Sequence, residues 1–380
     1  MGETLIKLRN KTGRFFYQTI FKRIFFAIDP EKVHDMMLKF GRLLGSNPLS
    51  RKFNSALFNY KNKKLEQTIL GIEFMNPVGL AAGFDKNAEI MQVIKETGFG
   101  FEEIGSVTAK PCKGNAKPRL WRLKKSKGLV VYYGLKNDGA EVIAQRLVKN
   151  KSKIPIGVSI AKTNCRETAN EDEGIKDYCE SVKILKNHGD YLTINISCPN
   201  AYGGLPFTDE QSLNKLLGEI RKIEINKPLF LKMATDLSND EIDAIIELSR
   251  KYKIAGFICT NLTKDRKNKD IESKIIDKNI PELGGISGLP IKELSNKLIK
   301  YIYEKTGNEF IIIGCGGIFS AEDAYEKIKN GASLVQLITG MIFEGPQLIS
   351  EINQGLVGLL KKDGYSSISE AIGKNTAFTK

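Results

Sequence analysis

Histidine is nearly missing. Only His34 and His188 occur in 380 residues, and neither has a second metal-ligating side chain at short spacing, so no zinc site is expected. The six cysteines, Cys112, Cys165, Cys179, Cys198, Cys259 and Cys315, form no CxxC pair. A chain this long closes a core without disulfides, so reduced thiols are expected. No apolar run reaches the roughly 18 to 20 residues of a spanning helix, because Lys22 and Arg23 interrupt the best candidate. Charges break up a secretory signal in the same way, and no small-residue cleavage site follows. Gly2 is in place for myristoylation, but Ile6 stands where that motif needs Ser or Thr. With 41% apolar and 27% charged residues, the composition excludes a disordered or fibrous chain. The length suits two domains, or one large α/β barrel with an appendage.

Charge is present in excess and unevenly placed. The net charge is +14, and residues 1–64 hold 14 basic against 4 acidic residues, a net of +10. Only +4 remains for the rest of the chain. A basic balance first suggests nucleic acid or an anionic membrane. Here the basic segment is also aromatic, with Phe15, Phe16, Tyr17, Phe21, Phe25 and Phe26 beside Lys7, Arg9, Lys11 and Arg14. Asp29 can cap a following helix, Pro30 suits its first position, and apolar residues recur at Val33, Met36, Met37, Phe40, Leu43 and Leu44. We expect two short helices lying on an anionic bilayer interface, with packing of these aromatics on the main domain as the alternative. Asn59 to Lys64 reads as a linker, which divides the chain into a helical segment 1–64, a main domain 65–365 and a polar tail 366–380.

The main domain alternates β-rich runs with amphipathic ones. Strands are predicted at Pro77–Ala82, Phe101–Val107, Ile156–Ile160, Leu192–Ser197, Leu229–Met233, Gly256–Thr260, Phe310–Gly314 and Leu334–Ile338. Helices are predicted at Asp85–Thr97, Ala140–Lys149, Glu173–Asn187, Asp209–Ile223, Ser238–Tyr252, Ile291–Lys305, Ala321–Asn330 and Pro346–Leu360. Eight such units imply an α/β fold, a closed (β/α)8 TIM barrel with a small N-terminal helical membrane-associating segment; a doubly wound open sheet is the alternative. In a barrel, chemistry collects where strands end. The expected strand ends carry Lys86, Ser106, Asn195, Cys198, Asn200, Lys232, Thr260, Asn261, Cys315 and Thr339, which packing alone does not explain. Glycines at Gly316-Gly317 and Gly340, and the loop Gly284-Gly285-Ile286-Ser287-Gly288, suit a phosphate site built from backbone N–H groups.

These residues resemble the dihydroorotate dehydrogenases. The resemblance runs from about residue 15 to 357 and is carried by Asn76-Pro77-Val78-Gly79-Leu80-Ala81-Ala82-Gly83-Phe84-Asp85-Lys86, Glu103-Ile104-Gly105-Ser106-Val107-Thr108, Pro118-Arg119-Leu120-Trp121-Arg122-Leu123, Asn195-Ile196-Ser197-Cys198-Pro199-Asn200 and Ile313-Gly314-Cys315-Gly316-Gly317-Ile318. The basic leader with Asp29-Pro30-Glu31 is similar to that of the class 2, membrane-associated, quinone-reducing branch. The resemblance implies bound FMN, with Ala82, Gly83, Lys86, Ser106, Ser159, Asn195, Lys232, Thr260, Gly288, Gly317, Ile338 and Thr339 around it. It implies a dihydropyrimidine, dihydroorotate or an analogue, held by Lys86, Asn195, Asn200, Asn261, Val131, Tyr133 and Leu135, with Cys198 as the catalytic base. A membrane quinone is the implied acceptor, and peripheral association with the cytoplasmic face of a membrane the implied location. No nucleic-acid partner and no metal are expected.

The chain departs from the family pattern at several of these positions. Cys198 stands where the class 2 branch has serine, cysteine being the mark of the soluble class 1 branch. Val131 replaces a substrate-binding asparagine, Leu262 a Thr or Ser, and Ala201 a Thr. Ser159 replaces a flavin-contacting asparagine and Ile338 an aromatic residue. Loss of a polar contact typically costs about 1–3 kcal/mol. A paralogue acting on a different small compound by the same chemistry is therefore the alternative function, with fumarate or NAD as alternative acceptors. A lipid- or nucleic-acid-binding module without catalysis is a third reading, which Lys86, Cys198 and Lys232 argue against.

Overall fold

The computed structural model describes residues 2–197, 207–267 and 284–377. Each expected core strand is present: β3 (Val78–Leu80), β4 (Phe101–Val107), β7 (Ile156–Ile160), β8 (Tyr191–Asn195), β9 (Leu229–Lys232), β10 (Gly256–Cys259), β12 (Ile311–Cys315) and β13 (Leu334–Leu337). They close into one parallel barrel in the order β3-β4-β7-β8-β9-β10-β12-β13. The open sheet is thereby excluded. Side chains alternate along each strand, so Phe101 and Glu103, Tyr191, Thr193 and Asn195, Phe230 and Lys232, and Leu334 and Gln336 share inward faces. The lowest interior layer is apolar and aromatic: Phe101, Tyr191, Phe230, Ile258, Ile313 and Leu334 pack together with Phe74. Phe74 comes from the antiparallel hairpin β1 (Gln67–Ile69) and β2 (Ile72–Phe74), and meets Phe101 edge-on at 5.4 Å. Above lies a polar layer in which Glu103 accepts hydrogen bonds from Thr193 (3.2 Å) and Gln336 (3.2 Å). The cavity described below opens on top of it.

The barrel helices follow the expected amphipathic stretches to within a few residues: α6 (Ala140–Lys149), α7 (Glu171–Leu185), α8 (Glu210–Arg221), α9 (Asn239–Lys251), α10 (Lys292–Thr306), α11 (Ala321–Lys329) and α13 (Leu348–Asp363), the last preceded by the short α12 (Thr339–Glu344). Strong caps set several starts, including a capping box between Ser238 and Glu241 on α9. The first barrel helix is much shorter than expected, α5 (Met91–Ile94). The Asp85 carboxylate accepts from the backbone N–H groups of Asn87, Glu89 and Ile90, holding residues 85–90 as a turn that competes with helix.

A three-stranded antiparallel sheet lies over the barrel mouth, formed by β5 (Leu120–Leu123), β6 (Gly128–Val131) and β11 (Gly285–Gly288). The expected glycine loop is thus a strand, paired with β6 from Gly285 opposite Val131 to Gly288 opposite Gly128.

The N-terminal segment holds three helices rather than two. The first runs from α1 (Glu3–Phe16) through a π-helical turn at Tyr17–Phe21 into α2 (Lys22–Ala27). Asp29 then caps α3 (Pro30–Gly45) at Lys32 N, and Asn47 caps α4 (Pro48–Phe58) at Ser50 N. Arg14 pairs with Glu344 (3.0 Å) and with Glu351 on α13, and Phe26 meets Phe343 at 5.2 Å. Contact with the barrel uses these polar groups and a few aromatics, together with Ile6, which is buried in the main core, and Leu38 and Leu44, which pack against it. Most large apolar side chains of the segment stay exposed, including Leu8, Phe15, Phe21 and Ile24 on the first helix and Phe40, Leu43, Leu49 and Phe53 on α3 and α4. Among the described residues, no helix is long and apolar enough to cross a membrane. At the C-terminus, the helical turn Ile368–Ala371 buries Ile368 and Ala371 completely against the barrel.

Candidate active site

A cavity of about 260 Å³ occupies the C-terminal mouth of the barrel. Ala82, Gly83, Lys86, Ser106, Asn195, Lys232, Thr260, Asn261, Gly288, Gly317, Ile338 and Thr339 line it, as do Val131, Tyr133 and Leu135 from the overlying sheet and the loop after it. Strand alternation explains the convergence: the inward positions that begin in the aromatic layer surface at Asn195, Lys232 and Thr260. Cys198 and Asn200 lie outside the described residues, as does Ala201.

The floor is a hydrogen-bonded chain. Ser159 and Ser106 share a bond of 2.8 Å, Asn195 Nδ2 donates to Ser106 Oγ (2.8 Å), and Asn261 Nδ2 donates to Ser197 Oγ (2.9 Å). Ser159 is fully buried behind Ser106 and does not line the cavity. Lys232 Nζ lies 3.9 Å from Glu103 Oε1, both groups being buried. Burial pushes the Glu103 carboxyl up, only partly offset by Lys232 and by the bonds from Gln336, Thr193 and Tyr191.

One end of the cavity is built of glycine backbone. Gly288, Gly316 and Gly317 have φ of +95°, +118° and +70°, a region open to glycine without penalty. A Cβ on Gly317 would strike Lys292 at the start of α10, at 2.4 Å. Ser287 and Thr339 hydroxyls meet across this end at 2.9 Å. After β3, which pairs alongside β13, a Cβ on Gly83 would meet only Ile338 Cδ1, at 3.8 Å, so the backbone there stands open to a close-lying ring. A phosphate cradle, an open backbone edge and a buried lysine suit a flavin mononucleotide.

The side wall joins Lys86, Tyr133 and the helical segment. Lys86 Nζ sits 4.2 Å from the Tyr133 ring centroid, with the Arg119 guanidinium 5.2 Å from the same ring. Burial brings the Lys86 amine down to about 7, with repulsion from Lys136 adding to it. Burial likewise raises the Tyr133 phenol, whose oxygen has no hydrogen-bond partner among the described residues. Pro30, Val33, His34 and Met37 of α3 complete this wall, and His34 Nε2 hydrogen-bonds the Phe84 carbonyl (2.9 Å). None of the four was expected from sequence to line the site; Pro30, Val33 and Met37 were read only as the start and the apolar positions of a helix. Their i, i+3, i+4, i+7 spacing after the Asp29-Pro30 cap is the signal that would have placed them on one face.

Fold and site together define a (β/α)8 barrel oxidoreductase with a flavin-type cradle and a helical cover. The family model for dihydroorotate dehydrogenase matches residues 64–360. The chain belongs to the dihydroorotate dehydrogenase family. It is 39% identical over 375 residues to a dihydroorotate dehydrogenase (quinone) of Trichodesmium erythraeum, covering 94% of this chain and 98% of that protein. It is 39% identical over 345 residues to one from Christiangramia forsetii, covering 90% and 98%. The crystal structure of the Eimeria tenella enzyme in complex with ferulenol superposes with a TM-score of 0.80 at 31% identity, covering 91% of this chain and 96% of that one.

Proposed function

We propose that the protein oxidises (S)-dihydroorotate to orotate in pyrimidine biosynthesis and passes the electrons, through FMN, to a membrane quinone. The observation that carries this reading is a single cavity bounded on one side by Lys232, Asn195 and the glycine turns and on the other by α3, whose outer face is apolar and exposed. Ala82, Gly83, Ser106, Thr260 and Ile338 would border the ring system of FMN. Gly288, Gly317 and Thr339 would hold its phosphate. FMN supplies hydride acceptance from substrate and reoxidation by the acceptor. Lys232, held by Glu103, places positive charge beside the ring edge where negative charge develops. Lys86 lies at the border of ring and substrate, and Asn195 and Asn261 present amide groups to the substrate. Cys198, directly after Ser197, is the residue proposed to take the substrate proton. Tyr133 and Leu135 cover the substrate side and exclude water. Residues 1–64 would attach the enzyme peripherally to the cytoplasmic face of an anionic membrane, while residues 65–365 form the catalytic barrel.

A second reading, a family member acting on a different small compound, is favoured by one observation. Val131, Leu135 and Leu262 give the substrate side an apolar wall. Anaerobic addition of dihydroorotate to the purified yellow enzyme separates the two. Bleaching of the flavin, followed by reoxidation with quinone but not with fumarate or NAD, is expected. Failure of dihydroorotate to bleach the flavin overturns the first reading in favour of the second.

A further inference from the structure

Lys327 on α11 is completely buried, and the chemistry above makes no use of it. Its Nζ donates to Ser295 Oγ (2.8 Å) and Asn296 Oδ1 (2.8 Å), both on α10. Neither partner is charged, and among the described residues no carboxylate lies within ion-pair distance of Nζ. The neighbouring Lys292 differs: its ammonium is taken up by Asp323 (2.7 Å) and Glu326 (3.1 Å). Burial brings the Lys327 amine down only to about 8, so the ammonium remains the major form at neutral pH. The charges of Glu326 and Asp323 act on it only from beyond ion-pair distance, and a buried cation whose hydrogen-bond partners are all neutral is expensive, so it is kept where something else returns the cost.

The position of Lys327 shows what that is. Its Cδ lies under Gly314, where an added Cβ would meet it at 3.2 Å, and Gly314 leads through Cys315 into the Gly316-Gly317 turn. Because Ser295 Oγ accepts from Lys327, its single proton is directed to the Cys315 carbonyl (2.9 Å) or the Cys259 carbonyl (3.1 Å). Cys315 O also accepts from Thr260 N (2.8 Å). A carbonyl that accepts from a donor polarised by a cation makes the N–H of its own peptide a stronger donor, and the peptide of Cys315 carries the N–H of Gly316, a residue of the cavity wall.

We infer that Lys327 is the internal counter-charge of the phosphate cradle, acting from behind the Gly316-Gly317 turn through Ser295 rather than by direct contact. It is a positioning residue, and the inference rests on the flavin reading above. The test compares binding of FMN with binding of riboflavin, which lacks the phosphate, to the flavin-stripped protein by fluorescence quenching, in wild type, Lys327→Met and Lys327→Gln. Glutamine removes the charge but keeps N–H donors, on a side chain one bond shorter than that of lysine, whereas methionine removes both charge and donors. Both variants are expected to lower the preference for FMN over riboflavin on the order of tenfold, with riboflavin binding unchanged. An unchanged preference in both variants, equal weakening of both flavins, or rescue by glutamine overturns the inference. A wild type that does not distinguish FMN from riboflavin overturns the phosphate reading itself. Should neither variant fold, phosphorus NMR of the wild-type holoenzyme decides: the bound phosphate is expected to stay dianionic well below its free pKa near 6, and protonation near that free value overturns the inference.

Discussion

Arg119 and Glu31 form a buried ion pair that fastens the helical segment to the sheet over the barrel mouth. Arg119 Nη2 lies 2.8 Å from Glu31 Oε1, while Nε approaches Oε2 at 3.2 Å, and both side chains are at most 5% exposed. Arg119 Nη1 also donates to the carbonyls of Lys113 and Asn115 at 2.8 Å. Burial alone would raise the Glu31 carboxyl, but Arg119 and Lys117 more than offset it and hold it below its ordinary value. Glu31→Gln should therefore destabilise the fold by about 3 kcal/mol, measured by denaturant unfolding at pH 7. Because the folded-state value is depressed, this stability is present above the ordinary carboxylate range and is lost as the pH falls through and below it. The gap between wild type and variant should close on acidification, and a gap independent of pH would contradict the assignment.

Glu102 presents the opposite case. It is fully buried on β4, and neither carboxylate oxygen has a hydrogen-bond partner among the described residues. Burial, with the charge of Asp85 adding to it, pushes its carboxyl well above the ordinary value. A raised folded-state value makes the group's contribution fall as pH rises from the unfolded carboxylate range toward the folded value. Glu102→Gln should accordingly stabilise the protein, more at pH 8 than at pH 5, by about 1 kcal/mol or more at the higher pH. Thermal unfolding at the two pH values checks both the sign and the slope.

The barrel was legible because buried parallel strands are short apolar runs, and runs such as Ile156–Ile160 and Leu334–Ile338 have few other uses. The site was legible for a related reason: polar residues such as Asn195 and Lys232, placed where such runs end, can only face the mouth. Other features depended on contacts distant in sequence. Gly285–Gly288 has little β propensity of its own and becomes a strand by pairing with β6, more than 150 residues earlier. His34 joins the wall only because α3 docks through Glu31 onto Arg119. Ser159 occupies an inward strand position, but the side chain is too short to pass Ser106. The first helix begins at Glu3, well ahead of the aromatic run that starts at Phe15, since Arg9 and Arg14 find partners on the barrel that a local pattern does not reveal.

Lys86 should impart an alkaline limb to substrate capture. With its amine brought down to about 7, the cation is present below that pH and lost above it, so kcat/KM for the anionic substrate falls as pH rises. Lys136→Met removes the repulsion that reinforces the effect of burial and should move the limb to higher pH. Lys86→Met should raise KM about 10- to 100-fold and abolish the limb. Steady-state pH profiles of the three proteins are the measurement, and an unmoved limb in Lys136→Met would exclude Lys86 as its source.

Cys198 should set the acid side of the same profile. A thiol with a reference value near 8.5 is partly ionised at neutral pH, whereas a serine hydroxyl needs much more help to accept a proton in step with hydride loss. Cys198→Ser should slow flavin reduction at pH 7 by about tenfold or more and shift the optimum upward. Single-turnover flavin bleaching across pH reads this step without interference from reoxidation. Equal rates at pH 7 would remove Cys198 from the role of base.

The exposed apolar face of the helical segment should govern membrane attachment separately from chemistry. Leu49 and Phe53 lie one turn apart on α4 and are 79% and 66% exposed, so replacing both with glutamate disturbs no core contact. Burying two such side chains in an interface is worth a few kcal/mol at about 25 cal/mol per Å², and adding negative charge opposes the attraction of the basic segment to anionic lipid. Leu49→Glu with Phe53→Glu should weaken binding to vesicles containing anionic lipid by at least about tenfold. Wild-type binding should itself weaken with added salt, because exposed charges are screened. Flavin reduction by substrate should be unaffected, while turnover with a vesicle-embedded quinone falls. If both half-reactions declined together, the face would be a structural contact of the barrel instead of a membrane surface.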